Sequence, residues 1–380
     1  MMIAIAALSL AIWGYCVFFR GGYWLARVEG DELLPAPAAW PHIVAVIPAR
    51  NEEDAIADSL TSLLVQDYPG RLSVILVDDN SEDATASIAA GLPAQTGSKV
   101  PLTVLRGDPL PQGWTGKLWA LQQGIAAANR ETPDYLLLTD ADIVYEPGAL
   151  RTLMARAIAG RHVLTSLMAK LRCESFAERA FIPAFIYFFQ MLYPFAFVND
   201  PRNRTAAAAG GCMLIRADAL ARAGGIAVIR DALIDDCSLA RVMKAQGPIW
   251  LGLTRRVRSI RVSAGLSDIH TMVARSAYAQ LRYSPVLLTG TLIGMALTYW
   301  TPPLIGLFGH GTARALALLA WALMTVSFWP ILRFYGLTPL WAPALPAIAT
   351  GYMAFTFSSA VQHMLGRGGR WKGRYQAKKT

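Results

Sequence analysis

Residues 43–53 read IVAVIPARNEE, a short apolar run that passes directly into a polar one. A continuous run of aliphatic residues ended by proline predicts a buried strand of a parallel sheet. Similar runs follow at Val74–Val77, Leu102–Leu105 and Tyr135–Leu138, with helical segments between them, one of them predicted over Ser81–Ala90. Strands that alternate with helices predict βαβ units with right-handed crossovers. The predicted fold class is α/β, with a mostly parallel sheet flanked by helices over residues 39–265.

Polar residues of a particular kind follow three of these strands. The segments are PARNEE at 48–53, VDDNSEDAT at 77–85 and TDAD at 139–142. In parallel sheets, ligands bind outside the carboxyl ends of the strands. Asp140 and Asp142 are two residues apart, so their side chains point the same way if the strand geometry continues. Two convergent carboxylates suit a hard divalent cation, which commonly bridges the phosphates of a substrate.

The chain resembles the family 2 glycosyltransferases with the GT-A fold, because six segments occur in that family's order. They are PARNEE at 48–53, VDDNSEDAT at 77–85, GKLWAL at 116–121, TDAD at 139–142, GGCMLIRADAL at 210–220 and DDCSLARVMKAQG at 235–247. Flanking apolar runs make it similar to the membrane-bound branch, which includes ceramide glucosyltransferase and the glycosyltransferases of bacterial hopanoid gene clusters. The resemblance implies inverting transfer from a nucleoside-diphosphate sugar, expected to be a UDP-sugar, to the hydroxyl of a membrane lipid, expected to be a hopanoid.

The resemblance also implies roles for individual residues. Mg²⁺ or Mn²⁺ is expected on Asp142 together with Asp140, where it stabilises the departing diphosphate. Lys117 would add positive charge near the same phosphates, although an exposed lysine at a helix start is an equally good reading. The residues expected to bind the nucleotide sugar are Pro48, Arg50, Asn51, Glu52, Asp79, Lys117, Asp140 and Arg282.

Asp235 and Asp236 occupy the place of the family's acidic pair before a helix, which is usually Glu-Asp. The resemblance implies that Asp236 is the general base that deprotonates the acceptor hydroxyl, with Asp235 beside it. A single displacement at the anomeric carbon inverts its configuration and needs only one such carboxylate. The alternative is that one of the two aspartates caps the helix predicted at residues 237–245, a position that aspartate favours.

Arg282 belongs to a weakened motif. Processive relatives carry Gln/Arg-x-x-Arg-Trp, whereas residues 279–283 read AQLRY. This departure argues against a polymerising synthase, although Arg282 could still neutralise the diphosphate. A basic strip shortly before it is predicted to lie at the lipid headgroups. Its members are Arg255, Arg256, Arg258 and Arg261.

Composition indicates a membrane protein, since 54% of the residues are hydrophobic and the mean hydropathy is +0.36. Residues 1–20 are predicted to be an uncleaved transmembrane anchor, because no basic segment precedes the apolar run as it would in a signal peptide. Residues 284–365 contain three more apolar runs of spanning length. The stretch 181–198 carries two prolines and many aromatic residues, which favours a membrane-interface element. The alternative for this stretch is a buried core helix.

The 35 basic and 26 acidic residues give a formal charge of +9, and their distribution indicates orientation. All acids lie within residues 29–268, and the segment 366–380 is strongly basic. The positive-inside rule places this tail and the catalytic domain in the cytoplasm. The resemblance implies the inner membrane of a bacterial cell. Three spans would leave the tail outside, so one run is expected to be re-entrant or interfacial. The basic excess is therefore an orientation signal and does not indicate nucleic acid.

Other classes of function fit less well. Residues 111–118 lack the pattern of a phosphate-binding P-loop, because position 111 is proline and Leu118 replaces the required Ser or Thr. No GxGxxG follows the first strand, which argues against a dinucleotide-binding fold. Two alternatives remain: a transferase that makes polyisoprenyl-phosphate sugars, and a non-catalytic membrane scaffold that keeps the nucleotide pocket. The four cysteines are scattered and predict neither a zinc site nor disulfides.

Overall fold

The computed structural model describes residues 1–263, 265–366, 370–371 and 374–375. Most of the predicted basic tail, 366–380, therefore lies outside the described residues. The chain forms two compact units. An α/β unit comprises Arg27–Arg172, Phe197–Val262 and the described residues from Arg370 onward, and a helical unit comprises Met1–Ala26, Cys173–Ala196 and the described residues that follow Val262, up to Gly366.

Eight strands form one sheet in the α/β unit, in the order β3-β2-β1-β4-β7-β6-β8-β5. They are β1 (Ile43–Ala49), β2 (Leu72–Asp78), β3 (Leu102–Arg106), β4 (Tyr135–Thr139), β5 (Ile143–Tyr145), β6 (Leu164–Lys170), β7 (Cys212–Arg216) and β8 (Ile249–Ser259). The α/β prediction is confirmed, and all four predicted strands are present.

The opening apolar run forms the centre of the parallel part of the sheet. Strand β1 is buried along its whole length and pairs in parallel with β2 on one side and β4 on the other. A strand with sheet on both edges and cover on both faces has no solvent-facing position, which is why its sequence does not alternate. Helix-to-sheet packing is close here, because a Cβ at Gly124 would lie 2.4 Å from Val46 Cγ1.

The sheet is less parallel than the sequence suggests. Strands β1 to β4 pair in parallel, but β7 runs antiparallel to both β4 and β6, and β5 runs antiparallel to β8. The parallel β6–β8 pair resumes the earlier direction. Because β7 is antiparallel to β4, it begins at the edge where β4 ends, and Cys212 pairs with Thr139. This reversal brings a distant segment of the chain to the polar edge of the sheet.

Helices occupy both units. They are α1 (Met2–Phe19), α2 (Ile56–Leu64), α3 (Thr85–Thr96), α4 (Gly116–Ala128), α5 (Ala149–Ala159), α6 (Phe176–Leu192), α7 (Phe195–Asn199), α8 (Ala217–Arg222), α9 (Asp235–Lys244), α10 (Leu266–Gln280), α11 (Pro285–Met295), α12 (Thr301–Phe308), α13 (Gly311–Phe334) and α14 (Leu345–Met364). A π-helical stretch, Ala296–Trp300, joins α11 to α12, and a 3₁₀ stretch, Pro339–Ala344, precedes α14.

One helix begins later than the sequence predicts. The sequence predicts a helix from Ser81, but α3 begins at Thr85. The Asp78 carboxylate accepts a hydrogen bond from Ser81 N, and Asp83 Oδ1 accepts one from Thr85 N. Aspartate side chains compete with the backbone for its own donors and favour turns and helix starts over helix interiors. The four residues Ser81–Ala84 therefore stay in a loop at the sheet edge.

Four helical stretches of the helical unit are long and apolar enough to cross a membrane. They are Met2–Phe19, Pro285–Phe308, Gly311–Phe334 and Pro339–Met364. They coincide with the four apolar runs of the sequence. Prolines 302 and 303 lie in the first turn of α12, directly after the π-helical stretch, so the backbone remains helical through Pro285–Phe308.

Buried polar side chains link the elements of the helical unit. Tyr187 in α6 is fully buried, and its hydroxyl lies 3.0 Å from that of Tyr23 and 2.7 Å from Ser327 Oγ. Trp13 in α1 donates to Thr298 O at 2.9 Å. Because each of the polar groups just named has a partner, these contacts do not incur the cost of an unsatisfied donor in an apolar interior. The stretch 181–198 lies mostly in α6, and its role at the membrane interface stays a prediction.

Candidate active site

The polar segments of the sequence converge at one edge of the sheet. Strands β1, β2 and β4 are parallel, so the residues that follow Ala49, Asp78 and Thr139 leave the sheet on the same side. Strand β7 begins at this edge, and Thr139 Oγ1 donates to Gly211 O at 2.7 Å. Segments from four strands therefore surround one site, as the carboxyl ends of parallel strands are expected to do.

The loops after β1 and β2 are fastened to each other. Arg50 Nη1 donates to the main-chain oxygens of Asp79 at 2.5 Å and Asn80 at 2.9 Å. Asn51 N donates to Ser81 Oγ at 3.0 Å, and the φ angles of Asn51 and Asn80 are +51° and +54°. Asparagine tolerates this left-handed region better than most residues. Four residues expected near the nucleotide thus belong to one braced pair of loops, with Asp79 buried.

A second group, here named the Lys117 cluster, consists of Lys117, Asp140, Asp235 and Asp236. Lys117 Nζ lies 2.8 Å from Asp140 Oδ1 and 3.1 Å from Asp235 Oδ2. Lys117 is held at the start of α4, where Thr115 Oγ1 accepts a hydrogen bond from Leu118 N. The structure therefore joins the GKLWAL, TDAD and DDCSLARVMKAQG segments in one ion-paired group. Lys117 is not an exposed lysine, since its side chain is only 16% exposed.

Charges within the Lys117 cluster shift the ionisation of its members. Burial by itself would lower the pKa of Lys117, but the carboxylates of Asp140 and Asp235 outweigh it and raise that pKa above its ordinary value. Burial raises the pKa of Asp140, and the nearby Asp142 adds to the rise while Lys117 opposes it. The single ammonium of Lys117 therefore faces several carboxylates, and the cluster as a whole carries excess negative charge.

Asp236 has the environment of a general base. Its Oδ2 accepts a hydrogen bond from Gly210 N at 3.1 Å, and its Oδ1 accepts one from Cys237 N at 2.6 Å. Burial and the adjacent Asp235 raise the pKa of Asp236 to about 6. A base is most effective when its pKa lies near the working pH, because it is then both ionised and basic enough to take a proton.

The N-cap residue of α9 is Ile234, which makes no side-chain capping hydrogen bond. Asp235 and Asp236 are instead the first two residues of the helix, where the positive end of the helix dipole favours their ionised forms. Asp235 is ion-paired with Lys117. The capping alternative is therefore not the arrangement in the structure.

A third group, here named the Arg261 cluster, consists of Arg261, Asp142, Glu52 and Ser259. Arg261 donates from Nε to Asp142 Oδ2 at 3.1 Å and from Nη2 to Glu52 Oε1 at 2.8 Å. Ser259 Oγ donates to the same Asp142 Oδ2 at 2.7 Å. Both carboxyl side chains are largely buried. Although burial opposes it, the charges of Asp142 and Glu52 raise the pKa of Arg261 above its ordinary value.

Sequence reasoning missed this role of Arg261. The sequence places Arg261 on the lipid headgroup surface with Arg255, Arg256 and Arg258, but in the structure it contacts Asp142 and Glu52. The pairing of β5 with β8 sets Ser259 opposite Ile143, next to Asp142. No local signal in the sequence reports this pairing, because more than 100 residues separate the two strands. Pro48 lies within β1, opposite Val77 of β2, although the sequence placed it in the turn after that strand.

Arg282 is the one predicted site residue outside the α/β unit. It belongs to the helical unit, directly after α10, and its side chain is exposed. Arg282 and Tyr283 have φ angles of +53° and +55°, and the Tyr283 ring stacks on His363 with centroids 4.3 Å apart. The part of Arg282 in diphosphate binding stays a prediction.

The donor set at the TDAD turn suits a divalent cation with few protein ligands. Mg²⁺ is commonly held by one or two carboxylates together with substrate phosphates and water. Asp140 and Asp142 supply two such carboxylates, and each has one oxygen in contact with a basic side chain. Over the residues that the structure describes, no group of three or more His, Cys, Asp or Glu side chains is arranged to hold a metal. Asp140 and Asp142 therefore fit Mg²⁺ or Mn²⁺ as part of a site that the substrate would complete.

Comparison with known proteins agrees with the fold and with the strand-end motifs. The family model described as Glycosyl transferase family 2 matches residues 44–224, from β1 to just beyond α8. The matched residues are just under half of the chain. The match includes Asp79, Lys117, Asp140 and Asp142, and it ends before Asp235.

Two curated relatives match part of the chain. An N-acetylglucosaminyltransferase of Mesorhizobium japonicum is 31% identical over 132 residues, which are 33% of this chain and 27% of that protein. A 4,4'-diaponeurosporenoate glycosyltransferase of Staphylococcus haemolyticus is 37% identical over 101 residues, which are 27% of this chain and 24% of that protein. The chain thus spans about a quarter of the length of these relatives.

A solved structure extends the similarity of fold over nearly the whole chain. It is a mannosyltransferase from Pyrobaculum calidifontis in complex with GDP-Man and Mn²⁺, with a TM-score of 0.57 and 18% sequence identity. The alignment covers 97% of this chain and 100% of the other. At this identity the likeness concerns the fold.

Proposed function

We propose that this protein is an inverting, metal-dependent glycosyltransferase that moves a sugar from a nucleoside-diphosphate sugar to the hydroxyl of a membrane lipid. One observation carries the proposal. The contacts of Lys117 with Asp140 and Asp235 join the strand-end motif of the donor site to Asp236, a carboxylate with a pKa of about 6. The Lys117 cluster thus contains both a positive group that can stabilise the departing phosphate and a carboxylate that can accept a proton.

Asp236 performs the proton transfer in this mechanism. The acceptor hydroxyl oxygen attacks the anomeric carbon of the donor sugar while its proton passes to the Asp236 carboxylate. The bond between that carbon and the diphosphate oxygen breaks, and the nucleoside diphosphate leaves with the electron pair. Attack and departure take place on opposite faces of the sugar, so the configuration inverts. Gly210 N–H and Cys237 N–H hold the Asp236 carboxylate in place during the transfer.

Lys117 and the TDAD turn act on the leaving group. A diphosphate gains negative charge as it departs, and fixed positive groups that face it lower the barrier. Mg²⁺ or Mn²⁺ held by Asp142 and Asp140 would supply Lewis-acid stabilisation of this charge. Lys117 keeps Asp140 and Asp235 in position and lies at the start of α4. The braced loops with Pro48, Arg50, Asn51, Glu52 and Asp79 form the expected cradle for the nucleoside, expected to be uridine.

The exposed apolar surface of the helical unit is evidence for a lipid acceptor. Large apolar side chains are exposed on its candidate spans, including Val286 at 80%, Phe308 at 74% and Phe357 at 54%. Exposed apolar surface of this extent is expected of a protein that contacts lipid. A membrane location would give a lipid hydroxyl access without extraction from the bilayer. The hopanoid acceptor and the bacterial inner membrane rest on the sequence resemblance, and the cytoplasmic orientation rests on the positive-inside rule.

The test is a transfer assay on membranes that contain the full chain. Radiolabelled UDP-glucose, UDP-N-acetylglucosamine and GDP-mannose are supplied separately with Mg²⁺ or Mn²⁺, and extracted lipids are analysed by mass spectrometry. We expect wild-type membranes to label a lipid, and Asp236→Asn to lower the rate roughly 100- to 10,000-fold, the range typical for loss of a general base. Nucleotide-sugar binding should be retained. Asp231→Asn is the matched control, since Asp231 is exposed and lies five residues upstream.

The same assay separates the alternatives. A labelled lipid that releases its sugar in mild acid would indicate transfer to a polyisoprenyl phosphate, whose anionic acceptor needs no base. Full activity of the Asp236→Asn variant would remove Asp236 as the base. Nucleotide-sugar binding without turnover by the wild-type chain, with every donor and a total lipid extract, would favour the scaffold.

A further inference from the structure

Arg261 is bound to both acidic segments that border the donor site. Its guanidinium contacts Asp142 of the TDAD turn and Glu52 of the PARNEE turn, at 3.1 and 2.8 Å. These turns follow different strands, β4 and β1, and Arg261 itself follows β8. Asp142 Oδ2 also accepts from Ser259 Oγ, so this oxygen is doubly occupied.

This contact conflicts with a metal on Asp142. A divalent cation bound to that carboxylate would lie within a few ångströms of the guanidinium, where like charges repel strongly. The two cations also compete for the charge of one carboxylate, since Arg261 Nε already donates to Oδ2. Either the guanidinium moves or the metal binds weakly.

Arg261 is the basic side chain of the site that is best able to move. Its side chain is 48% exposed, compared with 16% for Lys117 and 10% for Arg50. Lys117 is enclosed by carboxylates, and Arg50 donates to two main-chain oxygens that brace the loops. The guanidinium can move into water, but Asp142 and Glu52 are only 8% and 10% exposed, so another cation has to replace it on these carboxylates.

We propose that Arg261 is a displaceable counter-ion of Asp142: it neutralises the Asp142 and Glu52 carboxylates in the metal-free protein and competes with the divalent cation for Asp142. Metal binding then requires the guanidinium to leave Asp142 Oδ2. The negative charge of the donor's diphosphate favours this release, so metal and donor bind cooperatively. The inference rests on the proposed function, because the role of Asp142 as a metal ligand belongs to it.

The test measures Mn²⁺ affinity of the full chain in lipid nanodiscs by electron paramagnetic resonance of free Mn²⁺. Without nucleotide, we expect Arg261→Gln to bind Mn²⁺ at least tenfold more tightly than the wild type. Arg261→Lys keeps the positive charge and should stay within about threefold of the wild type. Arg258→Gln is the matched control, since Arg258 is exposed near the end of β8, shortly before Arg261, and it should change the affinity less than twofold. Asp142→Asn should abolish binding in both the wild-type and Arg261→Gln backgrounds.

Cooperativity is measured by repeating the titration with UDP and with GDP. The nucleotide that raises the Mn²⁺ affinity of the wild type should raise that of Arg261→Gln at least threefold less, because the competing charge is already absent. If Arg261→Gln folds poorly, the inference can still be tested on the wild-type protein alone. Modification of Arg261 by phenylglyoxal, followed by mass spectrometry, should accelerate when Mn²⁺ is added.

Several results would overturn the inference. They are Mn²⁺ binding by Arg261→Gln that is no tighter than wild type, an Arg261→Lys variant that binds as tightly as Arg261→Gln, and a modification rate that Mn²⁺ leaves unchanged. Absence of any Asp142-dependent Mn²⁺ binding would overturn both the inference and the metal role of Asp142. Failure of the proposed transferase activity appears separately, as a wild-type chain that transfers no sugar.

Discussion

The Lys117 cluster and the Arg261 cluster lie on the two aspartates of the same turn, but they differ in composition and exposure. Lys117 faces several carboxylates with a side chain that is 16% exposed, whereas Arg261 pairs with Asp142 and Glu52 and is 48% exposed. Excess negative charge in the first cluster raises the pKa of Asp236. The second cluster is closer to charge balance, and its cation is more exposed, although its carboxylates are only 8% and 10% exposed, compared with 35% for Asp140.

This difference suggests a division of work. A shielded cluster with unbalanced charge keeps a carboxylate basic enough to take a proton near neutral pH. A cluster whose cation reaches solvent while its carboxylates stay buried can exchange that cation for another, because the buried carboxylates require a counter-charge. A single turn could thus serve proton transfer through Asp140 and Lys117 and cation exchange through Asp142 and Arg261.

The largest effect is expected from removal of Lys117. Lys117→Met leaves Asp140, Asp235 and Asp236 without their cation, and we expect transfer to fall at least about 100-fold, in line with the loss of a charge-stabilising group. The melting temperature should also fall, because we expect the free energy of unfolding to decrease by about 2 kcal/mol. This is below the value of about 3–5 kcal/mol for breaking a fully buried pair, because Asp140 exposes 35% of its side chain.

The control for this prediction is Lys99→Met, since Lys99 is exposed on the same unit. Activity and melting temperature of the two variants are measured in parallel in detergent. Equal effects of the two substitutions would mean that Lys117 has no special role in the cluster.

The next effect concerns pH. A base must be ionised, so kcat/KM should fall about tenfold per pH unit below the Asp236 pKa of about 6 and level off above it. Asp235→Asn removes the negative neighbour and leaves Lys117, so the acid limb of the profile should move to lower pH. An acid limb at the same pH in Asp235→Asn would contradict the electrostatic coupling of the two aspartates.

The raised pKa of Asp236 also affects the stability of the folded protein. Low pH lowers the expected activity but favours the folded state through this group. The folded pKa of Asp236 lies above the value of roughly 3.9 for an unfolded aspartate, so the folded state holds this proton more tightly. The contribution of Asp236 to stability is therefore complete below about pH 4 and is lost as the pH rises through about 6. Asp236→Asn should remove this part of the pH dependence, which thermal unfolding between pH 4 and 7 would measure.

The smallest effect is expected in the Arg261 cluster. Ser259→Ala removes the 2.7 Å hydrogen bond to Asp142 Oδ2 but keeps the guanidinium contact. We expect a loss of about 1 kcal/mol in stability, typical of one such bond. Thermal unfolding is compared with Ser87→Ala, whose hydroxyl donates to Ala84 O on the exposed side of α3. A loss for Ser259→Ala as large as for Lys117→Met would show that the two clusters do not differ as proposed.

Features that depend on a single segment of the chain are predictable from the sequence. The strands that contain Ile43–Ile47 and Tyr135–Leu138 were identified because a buried parallel strand has a continuous apolar pattern. The positions of Asp79 and Asp140 at the polar edge followed from the direction of those strands. Lys117 could be assigned only by resemblance, since a lysine at a helix start has no pattern that separates a buried ion pair from an exposed position.

Local periodicity and runs of one polarity are enough to predict the α/β class, the edge of the sheet that holds the polar segments, and the apolar helices at both ends. The return of β7 and β8 to that edge, which brings Gly210 to Asp236 and Arg261 to Asp142, is visible in the three-dimensional structure alone. These pairings join residues far apart in the chain. Their identity depends on strand order and direction, which hydropathy does not encode.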